Sequence, residues 1–144
     1  ALYLNKTLDD HLAGYPETVR LGGWAARMRL YESTPVVVHH RSWNYFSARF
    51  ELDIVAELEA KPGIPPSGAH LADVERIVRE KGAPIILVEP FYPRKPADHV
   101  ADRTSATVIV CANSVGGEPE VVDYVSLIDR IVERIAAALS EKGA

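Results

Sequence analysis

Four short apolar runs, each followed by a segment of helical periodicity, constrain the fold of this chain more than any other feature. The predicted strands cover residues 34–39, 52–58, 84–88 and 107–111. They are rich in valine and isoleucine, which is typical of strands that are covered on both faces. The alternation of strands with helices predicts an α/β fold, a four-stranded parallel sheet with helices on both faces. We expect the strand order 2-1-3-4, with the reversal beside the first strand.

The helical segments carry recognisable ends. Ser67 is a predicted N-cap, and Gly82 is the predicted C-terminal stop of the same helix. Pro96 suits the first turn of a helix predicted at 96–104. Asp123 is expected to open the last helix, whose apolar residues form one stripe. These signals divide the chain into a helical lead-in over residues 1–33 and a single βα lobe over 34–144.

Composition limits the classes of function. At 144 residues the chain has the length of one domain, and its net charge of −4 argues against binding to nucleic acid. No apolar run approaches the ~20 residues of a membrane span. Cys111 is the only cysteine, so an internal disulfide is excluded. Because Ala1 is not a natural start, we expect a mature form or an excised fragment.

Titratable side chains follow three of the predicted strands. His39 and His40 close the first strand, Glu59 follows the second and Glu89 follows the third. Since parallel sheets bind ligands at the carboxyl ends of their strands, these residues and the 112–117 loop should line one edge. Imidazole and carboxylate groups are ligands of zinc, and carboxylates suit manganese. His40, Glu59 and Glu89 are therefore candidate metal ligands, whereas His39 alternates to the other side of its strand.

Each candidate also has an ordinary structural interpretation. A histidine can be hydrogen-bonded at a helix N-terminus, and a glutamate after a strand can cap a turn or pair with a lysine. Cys111 is interpreted as a small buried apolar residue, although a thiolate there would be a good zinc ligand. A second functional reading is a small cytoplasmic α/β enzyme with His40 and Glu89 as an acid-base pair. The sequence offers it no nucleophile motif and no phosphate-binding loop.

Four segments, taken in order, resemble one family. The chain looks like the C-terminal lobe of the periplasmic metal-binding (substrate-binding) proteins of zinc/manganese ABC transporters. The similarity covers roughly residues 31–142, and the run Lys-Pro-Gly-Ile-Pro-Pro-Ser at 61–67 makes it fairly specific. The segments are His-Arg-Ser-Trp-Asn-Tyr-Phe at 40–46, Glu-Ala-Lys-Pro-Gly-Ile-Pro-Pro-Ser at 59–67, Ile-Leu-Val-Glu-Pro-Phe-Tyr at 86–92 and Ser-Val-Gly-Gly at 114–117.

The resemblance implies one half of a two-lobed metal receptor. Family members hold one ion in the cleft between two βα lobes, which are joined by a long helix. His40 falls on a ligand position of the second lobe. The aspartate that usually follows the last strand is missing here, so Glu59, Glu89, Asn113 or a water could fill that position. His39, Asn113 and Ser114 are then expected to support the ligands, and residues 1–33 would be a remnant of the connecting helix.

The resemblance also implies a role in transport rather than in catalysis. The expected cargo is Zn²⁺ or Mn²⁺, and an imidazole ligand favours zinc. Partners would be a membrane permease and the missing N-terminal lobe, in a parent protein that is periplasmic or lipid-anchored outside the cytoplasm. An uncovered apolar face near Trp24 and Met28 is expected to drive self-association. With half a site, this chain should bind zinc weakly.

Overall fold

A computed structural model describes residues 23–59, 61 and 63–143. The part of the predicted lead-in that covers residues 1–22 lies outside these described residues. From residue 23 onwards the chain contains a short helix and a 3₁₀ turn, which lead directly into the first strand.

The sheet has the predicted architecture. Its strands are β1 (Pro35–Val38), β2 (Asp53–Glu57), β3 (Ile85–Val88) and β4 (Thr107–Val110). They are hydrogen-bonded in the order β2-β1-β3-β4, and every pair is parallel. Both the parallel four-stranded sheet and the 2-1-3-4 order are therefore confirmed. All four carboxyl ends meet at one edge of the sheet, with β1 and β3 at its centre.

Five α-helices cover the sheet in the described residues. They are α1 (Gly23–Met28), α2 (Asn44–Phe50), α3 (Gly68–Lys81), α4 (Lys95–Ala101) and α5 (Tyr124–Glu141), with 3₁₀ turns at Arg29–Tyr31 and Arg41–Trp43. Within the described chain, none of these helices has the length and apolarity that a bilayer crossing requires.

The predicted helix ends are also observed. Ser67 accepts a hydrogen bond from the backbone N–H of His70 at 3.2 Å, and Asp123 accepts one from Ser126 at 2.7 Å. Gly82 takes the left-handed conformation, with φ of 67°, that ends a helix most readily at glycine. Only α4 differs, because it ends at Ala101 rather than near residue 104.

Two apolar clusters pack on opposite faces of the sheet. The first lies between the sheet and α1, α2 and α5; its largest members include Trp43, Met28 and Ile135. The second lies under α3 and α4, where Val74 and Val100 contact the strands. Burial of these faces supplies the main driving force for folding, at roughly 25 cal/mol per Å² of apolar surface.

The prediction of an uncovered apolar face near Trp24 and Met28 is wrong for Met28, which is only 1% exposed. It packs in the first cluster because α1 lies against α5. Trp24 is half-buried, with its ring edge-on to Tyr124 and its indole N–H donating to Asp129. Leu30, in the following turn, is the large apolar residue of this segment that stays exposed.

One irregularity interrupts the pairing of β1 with β2. Val36 is opposite Ile54, but the next residue, Val37, is opposite Ala56. Val55 is therefore an extra residue, and it forms a β-bulge in the edge strand. Bulges in edge strands also discourage pairing with other chains.

Candidate metal centre

Backbone hydrogen bonds continue the sheet past the formal strand ends. His39 N–H donates to Leu87 O at 2.8 Å, and Glu59 N–H donates to His39 O at 2.9 Å. Val38 is aligned with Glu57 on one side and with Leu87 on the other. When this register is carried two residues further, it sets His40 beside Glu59 and Glu89. The three predicted ligands thus follow adjacent strands, in one row across the edge of the sheet.

Glu89 is the most buried member of this row, with 0% exposure. Its Oε1 accepts hydrogen bonds from the Ser42 hydroxyl and from Asn113 Nδ2, the latter at 3.1 Å. Its Oε2 is buried and has no hydrogen-bond partner among the described residues. One carboxylate oxygen is therefore anchored, while the other keeps its full capacity to bind.

Glu59 repeats this arrangement. It is 7% exposed, and its Oε1 accepts the backbone N–H of Gly63 at 2.8 Å. Its Oε2 is again buried without a partner in the described part of the chain. Gly63 has a φ of 75°, a backbone conformation that residues other than glycine adopt only at an energetic cost. The glycine of the 61–67 run thus allows the loop to turn back onto Glu59.

The two histidines lie against Tyr92. His39 stacks on the tyrosine ring with centroids 4.3 Å apart, and His40 stands edge-on to it at 6.4 Å. Each imidazole has a buried Nδ1 without a hydrogen-bond partner among the described residues. Burial lowers the pKa of His39, although the nearby charges of Glu89 and Glu59 oppose this effect. His39 is only 3% exposed, and its stacking on Tyr92 contributes to that burial.

The loop after β4 contributes Asn113, which donates to Glu89. Ser114 is exposed, and its carbonyl accepts the N–H of Gly117 at 3.1 Å. A Cβ on Gly117 would lie 2.9 Å from that of Ala112, so glycine is required for this close turn. Ser114 therefore shapes the loop, whereas Asn113 reaches Glu89.

Cys111 is fully buried at the end of β4, and burial raises the pKa of its thiol to about 11. A neutral thiol in this position is a core residue, as predicted.

Sequence reasoning missed the roles of Ser42 and Tyr92. Ser42 was not among the predicted site residues, but its hydroxyl donates to Glu89. Its place in the turn directly after His40 was a usable signal. Tyr92 directly follows Glu89-Pro90-Phe91, and the N–H of Tyr92 bonds back to Glu89 O at 3.0 Å. That tight turn brings the tyrosine ring onto the histidines, which no sequence pattern shows.

The edge of the sheet therefore presents four buried polar atoms that have no partner within the described part of the chain, two carboxylate oxygens and two imidazole nitrogens. In the described residues, no three side chains of ligand type are already arranged to hold an ion. A groove of ≈ 470 Å³ beside β2 and α3, lined by residues such as Arg41 and His70, contains none of the predicted ligands.

Comparison with known proteins adds a family match. Residues 23–138 match the family described as "Zinc-uptake complex component A periplasmic". The chain is 24% identical to the high-affinity zinc uptake system protein ZnuA of Brucella abortus (strain 2308) over 147 aligned residues. That alignment covers 96% of this chain but 43% of the Brucella protein. The chain thus spans less than half the length of this relative.

Solved structures show the same fold. FpvC of Pseudomonas aeruginosa, solved in complex with Mn²⁺, superposes with a TM-score of 0.66 at 19% identity. The match covers 83% of this chain and 46% of FpvC. The Cd-bound periplasmic metal binding protein of candidatus liberibacter asiaticus gives a TM-score of 0.67 at 16% identity, over 95% of this chain and 49% of that one. In each case the chain corresponds to about half of the solved structure.

Proposed function

The chain belongs to the family of periplasmic zinc-uptake components, and from this we propose that it is one metal-facing lobe of a two-lobed receptor. The receptor would deliver zinc or a similar divalent ion to the permease of an ABC transporter. Coverage of 43% of a zinc-uptake relative supports the assignment to a single lobe. Because the family acts in transport, the alternative of a cytoplasmic enzyme with His40 and Glu89 as an acid-base pair is not supported.

The observation that carries the proposal is the half-satisfied state of the two buried glutamates. Glu89 and Glu59 each anchor one oxygen and leave the other buried, with no partner among residues 23–59, 61 and 63–143. A buried carboxylate is costly unless a hydrogen bond or a cation balances it. A divalent ion at the edge of the sheet would supply that balance.

We assign His40, Glu59 and Glu89 as ligands in this lobe. His39 and Asn113 would support them, His39 through its stacking on Tyr92 and Asn113 through Glu89. Ser114 would act only by shaping the loop. An imidazole beside carboxylates fits Zn²⁺, and a set dominated by carboxylates would fit Mn²⁺ better. His40 therefore favours zinc as cargo.

The site would be completed by a second lobe. Zinc needs about four donors, and this lobe offers at most three. One large exposed apolar side chain follows each of the four strands, either in α2 or on the loop after the strand. They are Tyr45 (92% exposed), Ile64 (57%), Phe91 (63%) and Val115 (50%). The second lobe would cover this apolar rim in a periplasmic or lipid-anchored parent protein, and without it a second copy of the chain would do so.

The test is titration of the chain with Zn²⁺ at neutral pH, followed by calorimetry or NMR. We expect weak binding that is lost in His40→Ala. His70→Ala is the matched control, because His70 bonds to the backbone of Glu57 at 2.9 Å and lines the separate groove. Tight stoichiometric binding that survives His40→Ala would overturn both the ligand assignment and the half-site.

A further inference from the structure

A partly buried ion pair connects the loop that follows β4 to α5. Glu118 has a side chain that is 11% exposed, and both of its oxygens contact Arg134 of α5, at 2.9 and 2.7 Å. Arg130, one turn earlier on the same helix, lies 3.6 Å from Glu118 Oε2. Two-point pairing of this kind fixes the relative orientation of both groups.

The same two side chains also hold the backbone of the loop. Glu118 Oε1 accepts the N–H of Ala112 at 2.8 Å, and Arg134 donates to the carbonyl of Val110. Burial alone would raise the pKa of Glu118, but the Ala112 N–H and the Arg134 guanidinium hold it below its usual value. The backbone on both sides of Cys111 is thus tied to α5 just before the chain reaches Asn113.

We propose that Glu118 and Arg134 form a clamp that positions Asn113 and thereby orients Glu89 toward the metal ion. The inference rests on the proposed function, in which Glu89 is a ligand. Asn113 Nδ2 lies 3.1 Å from Glu89 Oε1, close to the outer limit of a good N–H···O bond. A loop displacement of about 1 Å would therefore break that bond and free the carboxylate to rotate. Groups that orient metal ligands typically change affinity by about 10–100-fold.

The proposal makes a prediction that a merely structural role would not. Glu118→Gln and Asn113→Ala should each weaken Zn²⁺ binding by about tenfold. Because the clamp acts through Asn113, Glu118→Gln should add nothing further in an Asn113→Ala background. If the two effects instead add, the clamp does not act through Asn113 and the proposal is overturned.

The measurement is a Zn²⁺ titration followed by two-dimensional NMR, which suits weak binding and reports folding in the same spectra. Glu80→Gln is the matched control, since Glu80 pairs with Arg76 at 2.9 Å on the exposed face of α3. Its affinity should stay within about twofold of the wild type, as expected for an exposed pair remote from the site.

A second variant covers the case in which Glu118→Gln does not fold. Arg134→Lys keeps the charge but loses the planar two-point contact, so it should weaken binding in the wild-type background and not in Asn113→Ala. Glu89→Gln separates the two proposals. If Glu89→Gln leaves zinc affinity unchanged, the proposed function of Glu89 has failed. If Glu89→Gln weakens binding while the clamp variants do not, only the clamp is overturned.

Discussion

Replacement of Glu89 by glutamine should stabilise the metal-free chain and weaken its binding of zinc. Glutamine has nearly the same shape, and its oxygen can still accept from Ser42 and Asn113. What the substitution removes is the negative charge at the buried Oε2 position, which has no partner among the described residues. A carboxylate that serves to bind a metal ion should lower the stability of the metal-free protein in this way.

The magnitude follows from the burial of Glu89, which is 0% exposed. Glutamine still leaves an unpaired amide N–H2 at that position, so the gain is the difference between burying a charge and burying a neutral polar group. Because an unpaired buried polar group costs about 1–3 kcal/mol and a charged one costs more, the free energy of unfolding should rise by an amount on the order of 1–3 kcal/mol. For a chain of this size, that corresponds to an increase in Tm of about 3–10 °C. Loss of a ligand should lower zinc affinity by at least about tenfold.

The assay is urea denaturation in the presence of a chelator, together with a zinc titration of each variant. Glu75→Gln is the matched control, because Glu75 is also a buried glutamate but is fully partnered. Its carboxylate contacts Arg79 at 3.1 Å and His99 at 3.3 Å. Glu75→Gln should therefore lower stability and leave zinc affinity unchanged. If Glu89→Gln behaves like this control, Glu89 is a structural residue and the argument from its free oxygen is refuted.

Three further outcomes are expected. Zinc affinity of the wild type should fall as pH drops from about 7.5 to about 5.5, since only a neutral imidazole binds metal, whereas His40→Ala should show no binding at either pH. Binding in the variant that still falls with pH would count against His40. Because the native pKa of Glu118 is depressed, its contribution to stability should be present above about pH 4.5 and lost as pH falls through the native value. Urea denaturation of wild type and Glu118→Gln should therefore converge at low pH, and a constant difference would contradict this. Light scattering should show that the wild type associates as its concentration rises, and that the double variant Tyr45→Ser, Phe91→Ser associates less. A wild type that stays monomeric at high concentration would contradict the proposal that the apolar rim is a contact surface.

The sheet could be predicted because its signals are local. Runs such as 84–88 contain enough β-branched residues to be recognised as buried strands. Ser67 and Asp123 mark helix starts through their side-chain oxygens, and Gly82 marks a helix end through its left-handed backbone conformation. The strand order then follows from rules of connection, and it implies which residues meet at the carboxyl edge.

The contacts within the site could not be predicted, because they depend on how loops fold back. The hydrogen bond from Ser42 to Glu89 joins residues 47 positions apart, and the stacking of Tyr92 on His39 requires the turn after β3. Burial of Met28 was missed for the same reason, since it depends on how α1 packs against α5. Periodicity shows that a face is apolar but not what covers it.

The bulge at Val55 has a consequence for the edge of the sheet at which the proposed ligands lie. Side chains alternate along a strand, and Ile54 packs in the cluster beneath α5 together with Val36 and Val38. By the same alternation, His40 lies on the face of Val36 and Val38. Strict alternation from Ile54 would place Glu59 on the opposite face of the sheet. Because Val55 is an extra residue, the alternation moves by one position, and Glu59 lies on the same face as His40. The side of the sheet on which Glu59 lies is thus decided four residues upstream, at Val55, which contributes no donor atom.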